Sequence, residues 1–581
     1  MDNRFTTLVF TLDRIIEIAP SSCTWYHFDK NNHDLRLKAR TRAFVHLYLK
    51  CEFGLTDFVE IESKITEGKN DGGLDAFYID HNKKIIYLIQ SKFRHDKFEE
   101  KLISIDDLAK MELELILKGK KEYTNKIGGK LRFNQKIIKF QEELSGLKGV
   151  YTKKVIILAN IGKYNDKTIK KLIGNFDFEV FDFEKSYERM VFSICSGTYY
   201  NPEEIIVTLN TERKKQPMVF EEIITSMGKC DVRVFFIPTL EIAKMMFKYK
   251  NAILAHNPRN YLSLDKNEVN KKIGHSITSI KTNDFALLNN GITVLADLVN
   301  PIDTLGKEEI KVTIYNPQII NGAQTAFTLS KIYGGKTENE YLFKNKEVML
   351  RVITAKDNAC KASFVESLSD ATNQQTKIIE ADRRSNDPIQ KNIQKGLFNG
   401  FGYFYSRKKG EFDNGISEGY LNKNLVIERE DLVKSIIAYS GKASEARRSS
   451  NVLFKEKEFK NFFKKQSNIN KIFFAYQCWV MLNQILKKNK ISKDFKYSRY
   501  AVICAVGHIK PNVNKHTSSD VEKNIKGVIK KWKEFEKYVA EQKNNVQYYI
   551  GNTKIIDFDN YYKGKTLNFD LKKFFNKKII P

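Results

Sequence analysis

In the segment GKNDGGLDAFYIDHNKKIIYLIQSKF, three side chains of complementary chemistry sit at the ends of two strand-like runs. Asp75 begins one run, and Gln90 and Lys92 lie near the end of the other. Only HNK (81–83) separates the runs, the pattern of an antiparallel hairpin with a short polar turn. Side chains alternate along a strand, so Gln90 and Lys92 share a face, and antiparallel pairing brings them back to the end where Asp75 stands. A carboxylate offers hard oxygen to Mg²⁺, and a Gln carbonyl or adjacent backbone can complete the shell. A lysine can orient an attacking water or stabilise charge developing on a phosphate. The same residues also fit a plainer arrangement, an exposed Asp75–Lys92 ion pair closing the hairpin, worth about 0–1 kcal/mol.

The surrounding elements must hold that end of the hairpin. The run LRLKARTRAFVHLYLK (35–50) has helical apolar spacing, and the hairpin runs at 74–80 and 84–93 follow a polar, Gly-containing stretch. Two or three amphipathic helices are expected over 100–146, then a strand at 153–162, a helix at 166–176 and a strand at 178–183, an order that argues for a mixed α/β sheet. A second α/β unit is read over about 205–410, with continuous strands at 291–299, 310–320 and 348–354, and helices at 240–254 and 323–333. From about 425 the periodicity is helical, and VIKKWKEFEKYVAEQKN reads as one long amphipathic helix. Its interleaved Lys530, Lys531, Trp532, Lys533 and Phe535 fit either a stacking, phosphate-binding face or a helix with aromatics inside and lysines outside. No internal repeat and no heptad register is present.

With Asp75, the Gln90-Ser91-Lys92 strand and the Gly-rich entry Asp71-Gly72-Gly73-Leu74, the chain resembles the PD-(D/E)XK nuclease superfamily, in its Mrr-like branch, over about 35–185. The resemblance implies a restriction-endonuclease-like mixed sheet flanked by helices. It makes Asp75 a metal-binding acid, Gln90 the residue at the second acidic position and a further metal contact, and Lys92 the catalytic lysine. Mg²⁺ is the implied cofactor, with Mn²⁺ able to substitute, and the Gly pair would let backbone approach a scissile phosphate. Many members carry a further Glu on the preceding helix, where this chain has Arg42-Ala43-Phe44-Val45-His46. Glu52, Glu67 and Asp71 are the nearest substitutes. Arg94 and His95 follow the strand, where they fit phosphate contacts or, more simply, solvated residues after a strand.

A second constellation is built from amides where apolar runs stop: NPRNYLSLDKNEVNKKI, NDFALLNNGITVLA, IYNPQIINGAQTAFTL and TNQQTKI. Asn321-Gly322-Ala323-Gln324-Thr325 directly precedes a helix, where backbone N–H groups and amides can cradle an anion or a base edge. These strings resemble the AIPR family of abortive-infection phage-resistance proteins over about 205–460, and the NGAQT turn is remotely similar to the turn of ParB-like domains. Arg259, Asn289, Asn290, Asn321, Gln324, Thr325, Arg351, Asn373 and Gln375 are thus candidates for one polar nucleotide or nucleic-acid pocket. The alternative is that they satisfy backbone groups around Asn-Gly turns. No Walker A or GxGxxG string occurs, which disfavours ordinary P-loop or dinucleotide binding.

Composition sets the outer bounds. A chain of 581 residues exceeds the usual domain of roughly 100–200, so two or three domains are expected. The expected divisions are 1–204 (nuclease-like), 205–424 (AIPR α/β core) and 425–581 (basic, all-helical). The net charge of +28 favours polyanions, and 28 basic against 11 acidic residues in 451–581 place +17 of it in the last region. Seven scattered cysteines without a CxxC exclude a zinc ribbon and a disulfide scaffold. No run approaches the roughly 20 apolar residues of a membrane span, and the N-terminus lacks a signal-peptide pattern, so a cytoplasmic protein without a membrane partner is expected. Taken together, these readings predict a prokaryotic anti-phage nuclease that hydrolyses phosphodiesters, with DNA favoured over RNA. The AIPR part would sense nucleic acid, a nucleotide or a phage-derived trigger. A homodimer is left open, and a decayed, binding-only defence protein is the alternative.

Overall fold

The computed structural model describes residues 3–576 except 30, 82, 94–107, 125–127, 162–163, 199–203, 212–218, 227, 258–267, 280, 303–310, 357–379, 464–467, 492–494, 510, 512, 515 and 554. Its chain packs into two compact units, Met1–Gln375 with Gly410–Lys423, and Thr376–Lys409 with Asn424–Pro581.

The first unit opens with the helix Asn3–Glu17 and the helix His33–Phe53, which Asn32 caps by accepting from Leu35 N–H and which ends on Gly54 in the left-handed conformation. A four-stranded sheet follows in the order Ala76–Asp80, Ile85–Lys92, Thr152–Ala159, Asp177–Phe181. The first pair is antiparallel and the other two are parallel. The strand Thr152–Ala159 is buried from Val155 to Ala159, as an inner parallel strand covered on both faces should be. Over 108–146 the chain forms the helices Leu113–Leu117 and Gln135–Ser145. Between them lies a small hairpin, Glu122–Thr124 with Lys130–Arg132, where helix was expected.

The second sheet system corrects the expectation of continuous strands at 291–299 and 310–320. Each run is cut in two, and its halves join different sheets. Ile292–Ala296 and Gln318–Asn321 pair in a five-stranded sheet with Glu347–Ala355, Gly228–Pro238 and Val219–Thr225. Leu298–Ile302 and Lys311–Tyr315 pair in a three-stranded sheet with Ile206–Asn210. The switch points are Asp297 and Asn316, the latter at φ 49°. Asn316 Nδ2 donates to Asp297 Oδ2 at 2.8 Å, and Ile205 N–H donates to Asn316 Oδ1 at 2.8 Å. A left-handed residue followed by Pro317 cannot continue a ladder, so the strand turns into the second sheet.

The second unit is helical around a core that includes Leu432, Ile436, Phe474, Cys478, Val502 and Phe535. Among its described residues the strands are a short parallel pair, Phe404–Ser406 with Val426–Glu428. The expected single helix near the end is two, Ser518–Lys530 and Trp532–Ala540. Trp532 and Phe535 are buried, so the interleaved aromatic and basic residues are the inside and outside of amphipathic helices. Arg447 donates to Tyr497 O, and Arg383 pairs with Glu380. No helix among the described residues is long and apolar enough to cross a membrane.

Candidate functional site

The hairpin register sets Ala76 opposite Ile89, and Asp75 N–H donates to Ile89 O at 2.9 Å. Asp75 therefore stands beside the 90–92 end of its partner strand. There its Oδ2 accepts from Ser91 N–H at 2.6 Å, which orients the carboxylate. Thr66 N–H and Glu67 N–H both donate to Asp75 O, at 2.8 and 2.9 Å, and hold Glu67 next to Asp75. Burial, first of all, and then the charges of Glu67 and Asp71 push the Asp75 carboxyl well above the usual carboxylate range, against the pull of Ser91 N–H and the Lys92 ammonium. Burial also raises Glu67 and Asp71.

Gln90 is 3% exposed. Its Nε2 donates to Gly73 O at 3.1 Å and Ala109 O at 2.9 Å, two carbonyl acceptors that fix which end of the amide is nitrogen. Its Oε1 is buried with no hydrogen-bond partner among the described residues. An orphaned buried carbonyl oxygen is costly, by about 1–3 kcal/mol, and marks a position that a ligand can satisfy. Lys92, two residues on, is exposed. The Gly pair serves packing: at φ 66° and 77°, a Cβ on Gly72 would lie 2.5 Å from the Phe133 ring, and one on Gly73 would lie 2.7 Å from Lys110 O and 3.3 Å from Gln90 Nε2. Glycine there lets the loop close on Gln90.

These residues line a cleft of about 870 Å³, together with Trp25, Lys38, Arg42, Lys69 and others. Acids lie at the hairpin end, and Lys38, Lys69 and Lys92 are exposed around them. Of the substitutes for a helix acid, Glu67 and Asp71 line the cleft, whereas Glu52 is ion-paired with Arg189. Asp71 is spent on its own turn, accepting from Gly68 N–H at 3.0 Å and Gly73 N–H at 2.8 Å. Arg42, on the helix, is buried in ion pairs with Glu62 and, at 3.4 Å, Glu67. Among the described residues no three His, Cys, Asp or Glu side chains converge as a cation site. The oxygen donors on hand are the Asp75 carboxylate, the unpartnered Gln90 Oε1 and nearby backbone. That all-oxygen set fits a hard divalent cation. No local pattern singles out Trp25, Lys38 or Lys69, though the run TWYHF (24–28) is a dense aromatic segment between two helices.

The amide constellation is organised differently. Asn289 Nδ2 donates to Thr325 Oγ1 at 3.2 Å, and its Oδ1 accepts from Gly291 N–H at 3.0 Å. Asn321 Oδ1 accepts from Gly322 N–H at 2.7 Å. Gly291 and Gly322 are both left-handed, and a Cβ on Gly322 would stand 2.9 Å from Gly291 O, so the two Asn-Gly turns press together. Arg351 Nη2 donates to Thr293 Oγ1 at 2.9 Å, while its Nε lacks a partner among the described residues. Asn290 is exposed, and Gln324 lies in the first turn of the helix Ala323–Tyr333. Arg259, Asn373 and Gln375, with Arg94 and His95, lie outside the described residues.

The family model described as AIPR protein matches residues 254–554, just over half of the chain, and so takes in both Asn-Gly turns. The chain belongs to the AIPR family. The AIPR match begins later than the resemblance at 205 and continues past 460 into the helical unit, leaving the Asp75 cleft outside it. No curated protein and no solved structure matches the chain.

Proposed function

We propose that this AIPR protein is a defence nuclease of the cytoplasm, whose N-terminal sheet has the restriction-endonuclease-like arrangement and hydrolyses nucleic-acid phosphodiesters with Mg²⁺ or Mn²⁺, DNA being favoured. The observation that carries the reading is the buried, unpartnered Gln90 Oε1 beside a carboxylate crowded by two others, in a cleft with exposed lysines. Asp75 and Gln90 would hold the cation, with Glu67 as the nearest further oxygen ligand. When bound, the cation supplies charge neutralisation at the phosphate and relieves the repulsion among the acids. Ser91 N–H keeps Asp75 oriented. Lys92 would hold the attacking water and stabilise charge on the phosphate oxygens. Lys38 and Lys69 would bind flanking phosphates. The AIPR region would recognise the trigger, a nucleic acid or nucleotide.

The decisive experiment incubates wild type and Lys92→Ala with supercoiled plasmid, linear DNA and RNA, with Mg²⁺, Mn²⁺ or EDTA. Metal-dependent cleavage by wild type alone supports the assignment, whereas cleavage retained by Lys92→Ala removes Lys92 from it. A second reading, a decayed nuclease that binds nucleic acid without cutting, draws on Arg42, which stands on the helix and engages Glu67. Calorimetry separates the two: an intact site takes up Mn²⁺ and loses that uptake in Asp75→Ala, and a decayed one gives no metal signal in either protein.

A further inference from the structure

Trp25 is 59% exposed and lines the same cleft as Asp75, Gln90 and Lys92. It sits on a one-turn 3₁₀ helix, Thr24–Tyr26, whose neighbours are tied down. Tyr26 is buried, donates its hydroxyl to Glu62 Oε2 at 3.2 Å and packs edge-on against Phe58 at 5.3 Å. His27 N–H donates to Thr24 O. The Arg42 guanidinium lies 5.5 Å from the indole centroid and is itself held by Glu62 and Glu67. The indole is therefore backed on one side by a fixed cation and remains largely open to the cleft. The fold thus leaves a large apolar ring partly in water, where burial would be favourable.

We infer that Trp25 is a stacking platform for an unpaired nucleobase, and that the cleft takes single-stranded nucleic acid, or a strand opened at the nucleotide it binds. The inference rests on the phosphodiester-cleaving reading of this cleft. In a duplex both faces of each base are covered by its neighbours, so an indole inside the cleft gains nothing from intact double helix. An unpaired base offers a free face, and such stacking contributes about 1–3 kcal/mol per base. Exposed Lys38, Lys69 and Lys92 line the same cleft and supply the accompanying phosphate contacts. A rigid aromatic among cations, with acids beyond it, is the arrangement that reads one strand by its backbone and base face rather than a duplex by its groove.

The test uses the wild-type full chain with the divalent cation withheld, so that binding is read without turnover. It is titrated in EDTA with a short single-stranded oligodeoxynucleotide, the blunt duplex of the same sequence, and the matching oligoribonucleotide. Intrinsic fluorescence reports on Trp25, because of the three tryptophans Trp532 is buried and Trp479 is stacked on Tyr500. Single strands should quench the emission and bind more tightly than duplex. Adding Trp25→Phe should abolish the quench while keeping most of the affinity, and Trp25→Ala should weaken single-strand binding by about 5- to 150-fold, the stacking range above, with duplex binding unchanged. The ratio of DNA to RNA affinity names the strand served. Equal weakening for duplex and single strand, or none for either, overturns the inference, as does a failure of every nucleic acid to bind. Trp25-dependent single-strand binding in a wild type that never cleaves with Mg²⁺ or Mn²⁺ would uphold the platform and defeat the hydrolytic reading. Duplex cleavage that Trp25→Ala leaves unchanged would do the reverse.

Discussion

The Asp75 cleft and the paired Asn-Gly turns of the AIPR sheet are both places where strands end in polar side chains, yet they spend those side chains in opposite ways. At the turns, Asn289 and Asn321 accept from the N–H of the glycines that follow them, and Asn289 also reaches Thr325, so both amide oxygens and the Asn289 nitrogen are used in holding two tight loops together. In the cleft, the Gln90 nitrogen is consumed by Gly73 O and Ala109 O, but its oxygen is left buried and unmet, and burial with the charges of Glu67 and Asp71 raises the Asp75 carboxyl. A junction built for stability satisfies its polar atoms locally. A region that keeps an unmet oxygen beside crowded acids carries a cost that a bound cation would remove. Arg351 Nε is the exception at the turns and the point at which that side of the contrast is weakest.

The comparison can be broken most sharply at Lys92. Lys92→Ala should lower cleavage by about a hundred- to thousandfold in a plasmid assay, with the melting temperature unchanged because the side chain is exposed. At the turns the effect should appear in stability. Gly322→Ala forces φ 85° on a residue whose Cβ meets Gly291 O, and should cost about 1–3 kcal/mol in denaturant unfolding. Gln90→Glu separates the two uses of one amide. A second carboxylate should tighten Mn²⁺ binding by roughly tenfold in calorimetry. Losing the donors to Gly73 O and Ala109 O should at the same time cost about 1–3 kcal/mol of stability without metal.

The smallest effect concerns the crowded acid. Asp75→Asn keeps an oxygen for Ser91 N–H and removes one of the clustered charges, so at neutral pH and without metal the variant should melt about 2–4 °C higher, as scanning calorimetry would show. The sign follows from the raised folded pKa. The wild-type protonated carboxyl is favoured by folding, that stability is complete below the unfolded carboxylate range, and it is lost as pH rises through the raised value. The advantage of the variant should therefore vanish in acid and grow as pH rises.

Sequence alone determined the local elements around the site and their chemical types. Period-two runs bounded by a polar turn specified the Asp75 and Gln90 strands, helical spacing specified His33–Phe53, and amide-glycine strings specified the turns that the AIPR match contains. Those signals are legible because side-chain alternation and glycine's left-handed freedom are properties of a few consecutive residues. Tertiary structure decided the rest. It cut two strand-like runs at Asp297 and Asn316 between separate sheets. It spent Asp71 on its own turn, paired Glu52 with Arg189 and left Glu67 beside Asp75. It also brought Trp25, fifty residues before Asp75 in the chain, into the same cleft. None of these is visible in a window of sequence, because each depends on which polar group a distant segment reaches first, and on which atoms remain unmet once the chain has packed.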